Sequence, residues 1–190
     1  LELADILGAE NIRLFSFFTP AENRESYKGK VIERLSAFCE IANGSGITLC
    51  HENEKGIYGD TPERCLEIHK ALPEIKAIFD PANYVQCGVD TLKAWEILKP
   101  YVKYLHIKDA LADGNVVPAG KGIGNIKYIL DEFKKLGGDS VTLEPHLTVF
   151  DGLKALEKED DKSVVGKVYR YSSNTEAFSA AVSALREISK

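Results

Sequence analysis

The feature that most constrains this chain is a regular beat, in which short apolar runs alternate with longer amphipathic stretches. IRLFSFF at 12–18 reads as a strand, and so do the runs at 47–51, 75–79, 102–107 and 140–143. Between them the 3.6-residue pattern predicts helices. One begins near Ala21, carries Val31, Ile32, Leu35, Phe38 and Ile41 on one face, and stops at Gly44-Ser45-Gly46. A second opens at Thr61-Pro62-Glu63, an N-cap with proline at the first helical position, and runs to Leu72. Others are predicted at 92–98, capped by Asp90 or Thr91, at 126–136 before Gly137-Gly138, and at 174–188. The charged KEDDK at 158–162 reads as a solvated loop or frayed helix end. Strand followed by helix, repeated along the chain, means a parallel sheet, because parallel strands need long crossovers. Two architectures fit: an open doubly wound sheet, or part of a (β/α)8 barrel of about 250 residues.

The 190 residues suit a single domain with one substantial core. A formal net charge of −5 argues against a nucleic-acid partner, which is met by a basic face. No run approaches the roughly 20 apolar residues of a membrane span, and LELADILGAE is not a secretory leader. Cys39, Cys50, Cys65 and Cys87 are scattered without a CxxC pair, which predicts free thiols and a cytoplasmic setting. The chain holds no methionine and begins at Leu1, so it is expected to be an incomplete translation product.

Both architectures place their sites at the carboxyl ends of the strands. The second strand ends in His51-Glu52-Asn53, the third in Asp80-Pro81-Ala82-Asn83, the fourth in His106-Ile107-Lys108-Asp109, and the fifth in Glu144-Pro145-His146. Four successive strands thus deliver Glu52, Asp80, His106 and Glu144 to one rim. Neighbouring strands lie about 4.8 Å apart, so these side chains can converge. Three carboxylates and an imidazole repel themselves when left alone, and a divalent cation resolves the repulsion. Mn²⁺, Mg²⁺ or Co²⁺ suit such ligands, with Zn²⁺ a further option. Two carboxylates flanking a metal also form an acid/base pair for proton transfer beside a carbonyl.

Single residues have plainer readings. A lone acid after a strand is ordinarily a cap or a solvated loop group, and Glu54 and Asp60 are read so. His69, in CLEIHKAL, reads as a surface or packed residue, and Asp109 as a turn residue. GKGIGN is not GxGxxG and has no acidic partner about 20 residues on, so it reads as a loop and helix start ahead of a phosphate cradle.

At these residues the chain resembles the xylose isomerase-like TIM barrels, the sugar phosphate isomerase/epimerase superfamily. LGAENIRLF resembles the family's fourth strand, ITLCHENEKGIYGDTPE its fifth, IKAIFDPANY its sixth, YVKYLHIKDA its seventh and SVTLEPHL its eighth. YRYSSNTEAFSAAVSALREI is similar to its C-terminal segment. The resemblance implies a single barrel domain over 1–190 that lacks its first three strands. It implies a divalent metal on Glu52, Asp80, His106 and Glu144, with Glu52 and Glu144 shuttling a proton between adjacent carbons of a ketose. It further implies substrate contacts at His51, Asn83, Lys108 and His146. The expected activity is a metal-dependent isomerase or epimerase of a sugar or sugar phosphate, with no membrane partner and with a homo-oligomer as an option. The alternatives are a truncated, non-catalytic barrel that binds a sugar or a partner, and a dehydratase or apurinic-site endonuclease on the same scaffold.

Overall fold

The computed structural model describes residues 1–148 and 167–190; KEDDK at 158–162 lies outside them. In chain order the elements are α1 (Glu2–Ile6), β1 (Asn11–Leu14), a 3-10 segment (Ala21–Tyr27), α2 (Lys28–Ala42), β2 (Thr48–Glu52) and α3 (Pro62–Ala71). Next come β3 (Lys76–Phe79), α4 (Pro81–Gln86), α5 (Thr91–Leu98), β4 (Val102–Ile107), β5 (Asp109–Ala110) and β6 (Val116–Val117). The helix α6 (Ile126–Lys135), the strand β7 (Val141–Leu143) and a terminal helix, α7 (Asn174–Ile188), follow.

The predicted strands are present, β1 in shortened form, and they form one parallel sheet in the order β1-β2-β3-β4-β7. That order never reverses. A doubly wound sheet changes direction at a switch point, so the monotonic order selects the barrel. The sheet curls into a half-barrel with helices around it. The small antiparallel pair β5–β6 stands apart from it.

Local chemistry explains the elements. In α6, Ile126, Ile129, Leu130 and Phe133 recur at helical spacing and are the buried face. The Thr61 hydroxyl accepts from Arg64 N, and Pro62 sits where its missing N–H costs nothing. Between sheet and helices, Trp95 stands edge-on to Phe79 at 5.4 Å and packs with Leu98, Leu105, Ile107 and Phe133. A second cluster joins Val31 and Leu35 of α2 to Leu49, Ile68 and Ile75.

Two elements depart from the expectations. DPAN, read as a strand end, also opens α4: Asp80 Oδ1 accepts from Asn83 N at 3.0 Å, with Pro81 at the first helical position. The GKGIGN loop is an anion cradle whose occupant is the chain itself. The Asp109 carboxylate accepts N–H bonds from Ala110, Gly120, Gly122 and Gly124 at 2.9–3.0 Å, so those donors are spent. Cys39, Cys50, Cys65 and Cys87 are free thiols. Among the described residues no helix is long and apolar enough to cross a membrane.

Candidate metal centre

The strand register sets the site. Glu52 ends β2 opposite Ile78, His106 precedes the last residue of β4, and Asp80 and Glu144 directly follow β3 and β7. One ligand atom from each of these four residues lies within 4.8 Å of the other three. Glu52, Asp80 and His106 are buried, and the Glu144 side chain is 24% exposed. His106 Nδ1 lies 3.0 Å from Glu52 Oε1 and 3.2 Å from Glu144 Oε2. Lys108, also buried, places Nζ 3.0 Å from Asp80 Oδ2 and 3.8 Å from Glu144 Oε2.

Electrostatics follow from this crowding. Burial alone would lower His106, but its hydrogen bonds to Glu144 and Glu52 raise it to about 9. Burial would raise Glu144, yet His106, His146 and Lys108 outweigh it and hold the carboxyl well below the usual carboxylate range. Asp80 is pushed up by burial against the downward pull of Lys108. Their 3.0 Å separation is that of an ion pair, and among the described residues Asp80 Oδ2 accepts no hydrogen bond. A buried carboxylate oxygen left without a hydrogen bond, beside two carboxylates and an imidazole nitrogen, fits a hard divalent cation.

Asparagines brace the candidate ligands. Asn53 Nδ2 donates to Asp80 O at 2.9 Å and Asn53 Oδ1 accepts from Asp80 N at 2.9 Å, extending the β2–β3 pairing by a side chain. Asn83 Nδ2 donates to Asn53 O at 2.8 Å and lies 3.4 Å from Glu52 Oε1. His146 Nε2 stands 3.7 Å from Glu144 Oε1, on a backbone turned to φ 44°.

Of the eight residues singled out from sequence, the structure gathers Glu52, Asp80, His106, Glu144, Asn83, Lys108 and His146. It does not bring His51 to them. Successive strand side chains face opposite ways, so with Glu52 in the cluster His51 lies behind the sheet. There its ring centroid is 6.0 Å from that of His69, and a Cβ on Gly59 would come within 2.6 Å of its Cε1. Burial, followed by His69, lowers it to about 3. The expected substrate contact at His51 is therefore corrected.

Two acids read as caps or solvated loop groups have other surroundings. Asp60 is buried, paired with Arg24 and, at 2.6 Å, with Arg64. Glu54 is partly buried, with Oε2 3.4 Å from Asn83 Nδ2, and burial raises it. Sequence reading also passed over Arg13. Its Nη1 donates to Glu52 Oε2 at 3.0 Å and to Glu144 Oε1 at 3.2 Å. The available signal was a lone guanidinium inside an apolar strand.

A family model described as xylose isomerase-like TIM barrel matches residues 1–160. The chain is a member of the xylose isomerase-like TIM-barrel family. No curated protein gives a significant sequence match. Among solved structures, this xylose isomerase-like chain is similar to the IOLI protein with a bound zinc atom, at TM-score 0.68 and 18% identity over 98% of this chain and 65% of that one. It is similar to D-psicose 3-epimerase with D-tagatose from Clostridium cellulolyticum H10, at TM-score 0.65 and 16% identity over 98% and 65%. It is also similar to the probable 3-DHS dehydratase AsbF from Bacillus anthracis, at TM-score 0.66 and 21% identity over 75% and 60%. At these identities the likeness speaks for the fold. The xylose isomerase-like chain spans about three-fifths to two-thirds of the length of these structures.

Proposed function

We propose that this chain carries the metal site and the acid/base pair of a metal-dependent isomerase or epimerase acting on a sugar or sugar phosphate. One observation carries the reading. Four donors from four successive strand ends converge within 4.8 Å, and two of them, Glu52 and Glu144, are carboxylates that both face Arg13 Nη1 and His106 Nδ1. Glu52, Asp80, His106 and Glu144 would hold the cation. When bound, a divalent cation supplies polarisation of a substrate carbonyl, which acidifies the neighbouring C–H.

This chain's own residues then handle the proton. One of Glu52 and Glu144 removes it from the carbon beside the carbonyl. The other returns it on the opposite face, giving an epimer, or to the adjacent carbon, giving an isomer. To begin, the abstracting carboxylate must be ionised and the delivering one must carry a proton, which it gives up as its own. The cationic surroundings of Glu144 suit it to the ionised, abstracting role. Asn83 Nδ2 donates to Asn53 O and to Glu52 Oε1 and so orients Glu52, while the partly exposed His146 beside Glu144 is the ring placed to meet a substrate hydroxyl. The zinc-bound IOLI protein and the epimerase among the structural neighbours support a metal and a sugar substrate.

The test is solvent deuterium exchange into a panel of ketoses and their phosphates, with Mn²⁺ present. The wild-type chain is expected to label the carbon next to the carbonyl. Glu144→Gln should abolish labelling while its far-ultraviolet circular dichroism stays unchanged. Undiminished exchange in that variant would overturn the assignment. The dehydratase AsbF among the neighbours favours one second reading, elimination of water after the same proton abstraction. A dehydrated product, in place of an epimer, would select it.

A further inference from the structure

Arg13 comes from β1, at one edge of the sheet, while Glu144 follows β7 at the other. The guanidinium nevertheless bonds both Glu144 and Glu52, so it joins the two ends of the curled sheet across the mouth of the site. Its choice of oxygens is telling. Arg13 takes Glu52 Oε2 and Glu144 Oε1, whereas His106 Nδ1 faces the opposite oxygen of each carboxylate, Glu52 Oε1 and Glu144 Oε2. Each carboxylate thus has an outer oxygen on Arg13 and an inner oxygen turned to His106. The guanidinium is itself steadied over the Phe15 ring, its Cζ 5.1 Å from the centroid.

We infer that Arg13 is a positioning residue for the metal centre, holding the outer oxygens of Glu52 and Glu144 so that their inner oxygens converge with His106 and Asp80. Arginine suits the task because it stays charged and its N–H groups are fixed in a plane. Two carboxylates left unbraced would separate, and closing them around a cation would then cost binding energy. A mere counter-ion makes the opposite demand. A positive charge 3 Å from two ligands repels an incoming cation, so its removal would tighten metal binding. The sign of the effect therefore separates the two roles.

This inference rests on the metal reading above. The experiment titrates Co²⁺ into the wild-type chain, Arg13→Met and Arg13→Lys, following the visible d–d bands together with competition against a chelating dye. Arg13→Met is expected to bind Co²⁺ about 10- to 100-fold more weakly and with an altered spectrum, the range found for groups that orient metal ligands. Arg13→Lys, which keeps the charge and loses the planar fork, should fall between. Equal or tighter binding by Arg13→Met overturns the inference, the tighter case marking a counter-ion. If circular dichroism shows Arg13→Met unfolded, Arg13→Lys decides, and wild-type affinity and spectrum there overturn it. A wild-type chain that binds no Co²⁺ overturns the metal reading and this inference together.

Discussion

His69 shows how one residue ties burial to stability. Its ring is 1% exposed and stacks on Tyr101 with centroids 5.4 Å apart. Nδ1 lies 3.1 Å from Ile75 O, and Nε2 has no hydrogen-bond partner among the described residues. Burial, with a smaller push from Lys76, lowers it from 6.5 to about 4. The folded value lies below the unfolded one, so stability from the neutral ring is fully present above pH 6.5 and drains away as the pH falls towards 4. The loss reaches about 2 kcal/mol by pH 5. Urea unfolding at pH 7.5 and pH 5 should show a loss in the wild-type chain, to which buried His51 also contributes, that exceeds the loss in His69→Gln by about 2 kcal/mol, the glutamine amide still being able to donate to Ile75 O. An equal difference in the variant would remove His69 as the cause. Single residues were legible in the sequence only where position fixes direction. Glu52, Asp80, His106 and Glu144 each sit where a strand run ends, and the fold delivers that point to the rim. His51 was misplaced because strand alternation turns neighbours to opposite faces, and Arg13 was missed because it lies within a run. Asp60 and Glu54 were misread because their burial depends on Arg24, Arg64 and Asn83, which the chain brings from elsewhere.

Elements were easier to foresee, since each carries its own periodicity and caps. Asp90 Oδ1 accepts from Leu92 N and Lys93 N at the start of α5, and β4 spans Val102–Ile107, as the pattern predicts. The missed α4 had a readable signal, the same cap-then-proline order as Thr61-Pro62, overlooked because Asp80 was being read as a ligand. It serves as both. The β5–β6 pair had no such signal, because two-residue strands have no period and this hairpin depends on the glycine loop wrapping Asp109. That dependence is testable in Gly122. A Cβ there would meet Ala110 O, a backbone atom, at 2.3 Å and Asp109 Oδ1, a side-chain oxygen held by Ala110 N and Gly124 N, at 2.4 Å. Gly122→Ala should destabilise the chain by about 1–3 kcal/mol. Gly29→Ala, in α2 with nothing within 4 Å of the added carbon, should be neutral or stabilise by up to about 1 kcal/mol. Paired denaturant titrations measure both, and equal midpoints for the two variants would refute the account of the loop.

At the scale of the whole molecule, the curl of the sheet gathers the site while leaving β1 and β7 as outer strands. Among the described residues β1 pairs only with β2. Beside that edge lies a cleft of about 250 Å³ lined by Leu1, Ile12, Leu14, Phe38, Ile41, Ala42 and Leu49. Ile41 is 67% exposed, and α1 with its C-cap Leu7 adds Leu3, Ile6 and Leu7 to the exposed apolar side chains. An open strand edge supplies unpaired backbone groups, and apolar side chains beside it supply the driving force for association. A net charge of −5 over 190 residues opposes that only weakly. A polypeptide of residues 1–190 alone is therefore expected to self-associate, with a sedimentation coefficient that rises with concentration. Charging the patch in Leu7→Lys/Ile41→Lys should suppress the rise and leave Co²⁺ affinity intact, because neither residue is among the ligands or their braces. A wild-type chain that stays monomeric across the concentration range would refute the prediction, as would a double variant that associates equally well. Joint loss of association and Co²⁺ binding would instead mean that the metal centre is assembled by contact between copies, with the half-barrel edge as part of the site's support.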